Sequence, residues 1–191
     1  MSEQEMNKTA GSASRTKSIA FCGLGIALIT VCAWITVPFG PVPFTLQTFA
    51  MTFVLLALKP REAAATIVLY VLIGAIGLPV FSSMKGGFAA LAGPTGGFIW
   101  GFALGGIVAA LLLAVFDKKG GKRPVPVEIA AAIVFLGVCY LCGWVQLAFV
   151  AQMGMAAAFA AAIAPFIIID AVKLAVAIAV AHAVRKALSL S

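Results

Sequence analysis

Residues 97–123 read GFIWGFALGGIVAALLLAVFDKKGGKR. The first twenty positions carry no charge, and Asp117, Lys118, Lys119, Lys122 and Arg123 crowd in directly after them. A bilayer core takes about 20 apolar residues to cross as a helix, so this stretch reads as a membrane span with a basic collar at one end. The pattern recurs on both sides of it. The chain predicts six spans, 18–37, 44–58, 63–81, 97–116, 127–150 and 164–184. The second is short, about 22 Å at the helical rise, and either starts in the preceding loop or crosses where the membrane is thin. The alanine-rich 156–163 either extends the sixth span or forms a short surface helix. Composition agrees: 63% of the 191 residues are hydrophobic and 10% charged, against about a quarter charged in soluble domains. An ordinary cytosolic enzyme, a disulfide-stapled secreted module and a disordered tail are excluded. The four cysteines, Cys22, Cys32, Cys139 and Cys142, lie in apolar stretches and read as small hydrophobes.

The net charge of +7 does not point to nucleic acid, because the basic residues punctuate apolar runs instead of forming one polar face. Lys8, Arg15 and Lys17 precede span 1; Lys59 and Arg61 separate spans 2 and 3. Lys118, Lys119, Lys122 and Arg123 separate spans 4 and 5, and Arg185 and Lys186 follow span 6. Eleven of the 13 basic residues therefore share one side. The positive-inside rule makes that side cytoplasmic, with both termini on it. The chain divides into a cytoplasmic tail 1–17, a membrane domain 18–186 and a cytoplasmic tail 187–191. The first run is too long for a signal-peptide core and lacks a small-x-small cleavage site, and Val31 before Cys32 argues against lipoprotein processing.

Lys85, on the outer side, and Lys173, within span 6, do not fit the topological pattern. The outer connections are rich in Pro and Gly, notably Gly40-Pro41-Val42-Pro43, Gly77-Leu78-Pro79 and Gly93-Pro94-Thr95-Gly96-Gly97. These residues interrupt helix, and irregular backbone near a membrane is tolerated where protein buries it or it lines a cavity. Asp170 and Lys173 stand at i and i+3 on one helix face, about 8 and 12 Å in from Pro165. Intramembrane charges cost on the order of 3 kcal/mol each and by default mark a functional pathway. They either neutralise one another structurally or hold a polar ligand. Gln47 and Thr45 bring hydrogen-bonding groups to a similar depth, and Tyr140 and Trp144 share a face of span 5. Trp34 and Trp144 fit an interfacial belt as well as a pocket wall. Aromatic walls with a few polar groups describe a small-molecule site.

Other motifs carry less. The glycines before span 4, Gly96 among them, would let a ligand approach backbone N–H groups at a helix N-terminus, with Thr95 beside them. There is no Gly-x-x-x-x-Gly-Lys-Ser/Thr phosphate loop. Cys139-x-x-Cys142 lies mid-span, where thiolates are disfavoured, and the single histidine, His182, reads as interfacial. No nucleophile–base pair and no metal-ligand cluster is evident, so the residues point to binding without catalysis, cofactor or metal.

Four segments together resemble the BioY family: Pro41-Val42-Pro43-Phe44-Thr45-Leu46-Gln47-Thr48, Gly74-x-x-Gly77-Leu78-Pro79-Val80-Phe81, Gly93-Pro94-Thr95-Gly96-Gly97-Phe98 and Pro165-Phe166-x-x-x-Asp170-x-x-Lys173. They occur in order across nearly the whole chain. BioY proteins are biotin-specific substrate-binding (S) components of energy-coupling factor (ECF) transporters. The resemblance implies an all-α, six-helix ECF S-component fold and capture of biotin from outside. It also implies a transmembrane coupling subunit and two ABC-type ATPases as partners. Asp170, with Gln47 or Tyr140, would meet the polar head of biotin, Lys173 or Lys85 its carboxylate, and Trp144, Tyr70 and Phe98 its rings. Position 98 is Phe where the family often carries Tyr, so stacking carries over and a hydroxyl contact does not. The small-residue pair Gly23-x-x-x-Ala27 on span 1 has the spacing of a close helix–helix contact, either with the coupling subunit or within the bundle. A binding component for thiamine or riboflavin, and a carrier that works alone, are the competing readings.

Overall fold

Proline and glycine cut the chain where the sequence places its loops, and helices fill nearly everything between. The structure, a computed structural model, describes residues 3–117 and 123–187; Lys118, Lys119, Lys122 and the tail from 188 lie outside the described residues. The elements in order are α1 (Glu3–Trp34), β1 (Thr36–Val37), β2 (Phe44–Thr45), α2 (Gln47–Ala57), α3 (Pro60–Ala75), a 3-10 turn (Ser82–Met84), α4 (Phe88–Ala92), α5 (Gly96–Asp117), α6 (Val125–Val150), α7 (Met155–Ala162) and α8 (Ile167–Ala187). Among the described residues four helical stretches are long and apolar enough to cross a membrane: Arg15–Trp34, Gly96–Asp117, Val125–Val150 and Ile167–Ala187.

The boundaries differ from the sequence expectation in three places, each for a local reason. Span 1 was expected to reach residue 37, but α1 stops at Trp34 and the chain enters a small antiparallel hairpin, Thr36 opposite Thr45 and Val37 opposite Phe44. Pro38, Pro41 and Pro43, with Gly40 at φ +60°, forbid helix through the turn. The expected spans 44–58 and 63–81 shrink to the 11 residues of α2 and the 16 of α3, about 16 and 24 Å at the helical rise. Helix α3 ends at a left-handed Gly77, φ +116°. The chain then folds back so that Phe81 lies on Gly74 and edge-on to Tyr70, at 5.6 Å. Third, the alanine-rich stretch forms the separate helix α7, Met155–Ala162, and α8 begins only after Pro165, at Ile167.

Helices α5 and α6 make the most extensive pairing, and α2 packs chiefly on α8. A glycine face makes the first pairing close. A Cβ at Gly97 would stand 2.7 Å from the Gln146 Cβ, one at Gly101 2.7 Å from the Cys139 Cα, and one at Gly105 2.8 Å from the Phe135 carbonyl oxygen. Partner numbers fall as the glycine numbers rise, so the two helices are antiparallel with their backbones in contact.

At the end of the bundle where the basic residues gather, ion pairs tie the helices together. Arg123 grips Asp117 with Nε and Nη2 at 2.6 and 2.8 Å and donates to the carbonyls of Leu56 and Leu58 at the C-terminus of α2. Glu128 of α6 is fully buried and bonded to Arg185 and to His182 of α8. These arginines tie helices together.

The glycine face yields a paired test. Gly101→Val inserts side-chain volume against backbone and should destabilise the protein by about 1–3 kcal/mol or more, seen as a lower unfolding midpoint in detergent. Gly137→Val on α6, where a Cβ meets nothing within 4 Å, should leave the midpoint unchanged. Equal effects would refute the close α5–α6 contact.

Candidate functional site

The apolar interior forms two clusters. One gathers α1, α2, α3, α5 and α6; the other lies beneath the hairpin, with Val42, Leu147, Ala162 and Phe166 among its members. Phe98 packs against both. At this seam a cavity opens, lined by aromatic rings and a few polar groups, the make-up of a small-molecule site. The hairpin supplies Val42, Pro43 and Thr45; α2 supplies Gln47 and Thr48 from its first turn; the 3-10 turn supplies Ser82. Thr95, Phe98, Ile99 and Phe102 enter from the start of α5, Leu136, Cys139 and Tyr140 from α6, Ala162 and Phe166 from around the α7–α8 turn, and Asp170 and Lys173 from α8.

Asp170 organises the polar wall. It is 1% exposed, a burial that an ionised carboxylate withstands only when paired and hydrogen-bonded. Its Oδ1 accepts from Thr48 Oγ1 at 3.0 Å and from Lys173 Nζ at 2.8 Å, and its Oδ2 from Tyr140 at 2.7 Å. Three helices thus meet on one carboxylate. The pair with Lys173 is electrically neutral overall. Lys173 has two further N–H bonds to offer, and among the described residues Asp170 is its one recorded protein partner.

A second polar group stands beside it. Gln47, 4% exposed, donates from Nε2 to the Tyr70 hydroxyl at 2.8 Å, and that hydroxyl lies 2.8 Å from the Val80 carbonyl. The Thr45 hydroxyl accepts from the Gln47 backbone N–H at 3.2 Å, which satisfies a free donor at the start of α2.

Of the sequence-derived candidates, Asp170, Lys173, Gln47, Thr45, Thr95, Phe98 and Tyr140 therefore line one cavity. The others do not. Tyr70 is fully buried behind Gln47. Trp144 donates to the Met155 carbonyl and packs edge-on against Phe159, joining α6 to α7. Lys85 is exposed beyond the 3-10 turn. Gly96 is packed on its side-chain face: a Cβ there would collide with the Leu91 carbonyl and the Gln146 amide. Its backbone N–H is bonded to the Gly93 carbonyl at 3.0 Å. Gln146 reaches across from α6 and donates to the carbonyls of Leu91 and Gly93, at 2.7 and 2.8 Å. The glycine pair leaves room for that amide, which pins the loop carrying Thr95. Gly23 and Ala27 are both exposed, and a Cβ at Gly23 would meet nothing within 4 Å; their face is not used within the bundle.

Thr48, Ser82, Phe102, Leu136, Cys139 and Phe166 also line the cavity and are not among the site residues expected from sequence. For two of them the signal was present: Phe102 is one helical turn beyond Phe98, and Leu136 one turn before Tyr140. Among the described residues all four cysteines are free and no cluster of three or more His, Cys, Asp or Glu could hold a metal ion.

Comparison with known proteins gives consistent results. The BioY family profile matches residues 4–190. A Thermotoga maritima protein called "Biotin transporter BioY" is 39% identical over 164 residues, 86% of this chain and 93% of that one. A Pyrococcus horikoshii protein called "Probable biotin transporter BioY" is 37% identical over 168 residues, 88% of this chain and 96% of that one. In fold, the chain is similar to the crystal structure of the S-component for biotin from an ECF-type ABC transporter, with a TM-score of 0.82 at 20% identity, covering 91% of this chain and 93% of that one.

The Gln146 tether predicts a local effect. Gln146→Leu keeps the bulk and removes two donors to loop carbonyls, which should ease opening of residues 88–95 by about 1–3 kcal/mol. Faster deuterium uptake confined to that segment would bear this out; an unchanged rate would refute the tether.

Proposed function

This chain belongs to the BioY family, and from that premise and the chemistry of the cavity we propose that it takes up biotin as a substrate-binding membrane subunit. The family comprises transport proteins, not enzymes, and the chain is a multi-pass membrane protein. The observation that carries the reading is the buried Asp170, paired with the partly buried Lys173, facing a cavity with Gln47 and Tyr140. The ureido head of biotin presents N–H donors and a carbonyl acceptor side by side. Asp170, Gln47 and Lys173 present acceptors and a donor in return. The charge balance favours the head at this place. A neutral ureido leaves the neutral ion pair neutral, whereas the valerate carboxylate would bury a second negative charge beside Asp170. The carboxylate is then better met elsewhere, by the hydroxyls of Ser82 and Thr95, which line the cavity, and by the exposed Lys85 three residues on from Ser82. Phe98 and Phe102 flank the thiophane ring.

Helices α1, α2, α3, α5, α6 and α8 make up the six spans of the membrane domain 18–186, the short α2 being completed by the loop before it. Both termini, with the tails 1–17 and 187–191, face the cytoplasm, a reading supported by the basic residues gathered at that end. The chain carries no phosphate loop, so ATP hydrolysis comes from two ATPase subunits joined through a transmembrane coupling subunit. The exposed Gly23 and Ala27 support α1 as the face that meets the coupling subunit.

Loss of a hydrogen bond to a charged group is worth about 1.5–3 kcal/mol, so Asp170→Asn and Lys173→Ala should each weaken biotin binding by roughly 10- to 150-fold. Unchanged affinity in both would overturn the site. Lys85→Ala should weaken biotin by about two- to fivefold, the range of an exposed ion pair, and leave biotin amide unaffected. A vitamin panel that selects thiamine or riboflavin would overturn biotin as substrate. Ala27→Trp should abolish co-purification with ATPase subunits while biotin binding persists. Biotin uptake by vesicles containing this chain alone would overturn the need for them.

A further inference from the structure

The hydrogen bonds behind Gln47 decide which end of its amide the ligand meets. The Val80 carbonyl can only accept, and the Tyr70 hydroxyl has one hydrogen to give. With 2.8 Å between them, that hydrogen goes to Val80. The phenolic oxygen is then left as an acceptor, and the Gln47 group 2.8 Å away must donate. The amide nitrogen therefore faces Tyr70, an orientation fixed by the network and not by the shape of the side chain. Gln47 Oε1 points elsewhere. Among the described residues it has no recorded protein partner, and it is not sealed off, since Thr52 Oγ1 is the one fully buried side-chain polar atom there without a partner. Gln47 lines the cavity, so its open acceptor is available to a ligand donor.

We infer that Tyr70 is a positioning residue: through the Val80 carbonyl it fixes the Gln47 amide so that Gln47 offers its carbonyl oxygen to an N–H of the ligand. Tyr70 touches no ligand and acts through Gln47. The site thereby selects for ligands that carry a donor at this point, which under the biotin reading, on which this inference rests, is a ureido N–H. Without the phenol, the amide can turn over and present its NH2 group, and the selection is lost.

The test uses the full chain in detergent, as wild type, Tyr70→Phe, Gln47→Met and the double variant. Each is titrated with biotin and with the two biotin analogues methylated at one or the other ureido nitrogen, and each is also melted. Phenylalanine keeps the edge-on contact with Phe81, so Tyr70→Phe should lose about five- to tenfold in affinity for biotin. It should lose little for the analogue in which the relevant N–H is blocked. The double variant should bind biotin no more weakly than Gln47→Met alone, because Tyr70 acts through Gln47. Equal losses for biotin and both analogues, or a Tyr70 effect fully additive with that of Gln47, would overturn the inference and leave Tyr70 a structural tie. Where Tyr70→Phe does not fold, Gln47→Met decides: it should abolish the discrimination against one methylated analogue, and preserved discrimination overturns the inference. Wild type that binds no biotin at all overturns the biotin reading and this inference with it. Wild type that binds biotin without the expected pattern in the variants overturns the inference alone.

Discussion

A carboxylate placed among apolar helices has to be answered by donors where it stands, because protein covers nearly all of it and its desolvation would outweigh any single packing contact. Asp170 meets that demand with a threonine from α2, a tyrosine from α6 and a lysine from its own helix. Much else follows from this. Helix α2 must bring its first turn to α8, so the hairpin has to deliver the chain there directly. Helix α6 must keep Tyr140 on the same wall, and its glycine-lined contact with α5 then fixes Thr95, Phe98 and Phe102 as the facing wall. The same carboxylate holds Lys173 at the cavity wall, where among the described residues its remaining donors have no other protein partner. The group that stabilises the architecture is also the one that equips the cavity.

The sequence carried the overall architecture well and its details unevenly. Long apolar runs edged by Lys and Arg read directly as helices, because each run is nearly free of charge and ends in residues that leave an apolar phase. The shortening of the first three spans was less legible. Val37, Phe44, Leu78 and Phe81 are apolar enough to extend a span on paper, and only the neighbouring prolines and glycines reveal that they belong to loops folded over the bundle. The short strand pair around Gly40 depends on two residues at each edge, too few to leave a period.

For the site, Asp170 and Lys173 were conspicuous because charge is rare at that depth. Thr48 was not, since a threonine in an apolar helix more often bonds its own backbone. Tyr70, Trp144 and Gly96 mark the limit of reading by residue type. An aromatic ring or a glycine near a cavity has the same composition whether it faces the ligand or supports a residue that does. The Gly93–Gly97 stretch illustrates this, as its glycines admit the amide of Gln146, fifty residues later in the chain. Nothing local to the motif indicates that partner.

The clamp of Arg123 on the C-terminus of α2 has a consequence for how the cavity responds to its surroundings. A helix of 11 residues is about 16 Å long, far short of a hydrocarbon core of about 30 Å, so lipid cannot set its depth. Protein groups hold it at both ends, Thr48 on Asp170 at one and the Leu56 and Leu58 carbonyls on Arg123 at the other. Long helices answer a thicker or thinner bilayer by tilting. Helix α2 answers to its neighbours, and the polar wall it carries is thereby insulated from membrane thickness.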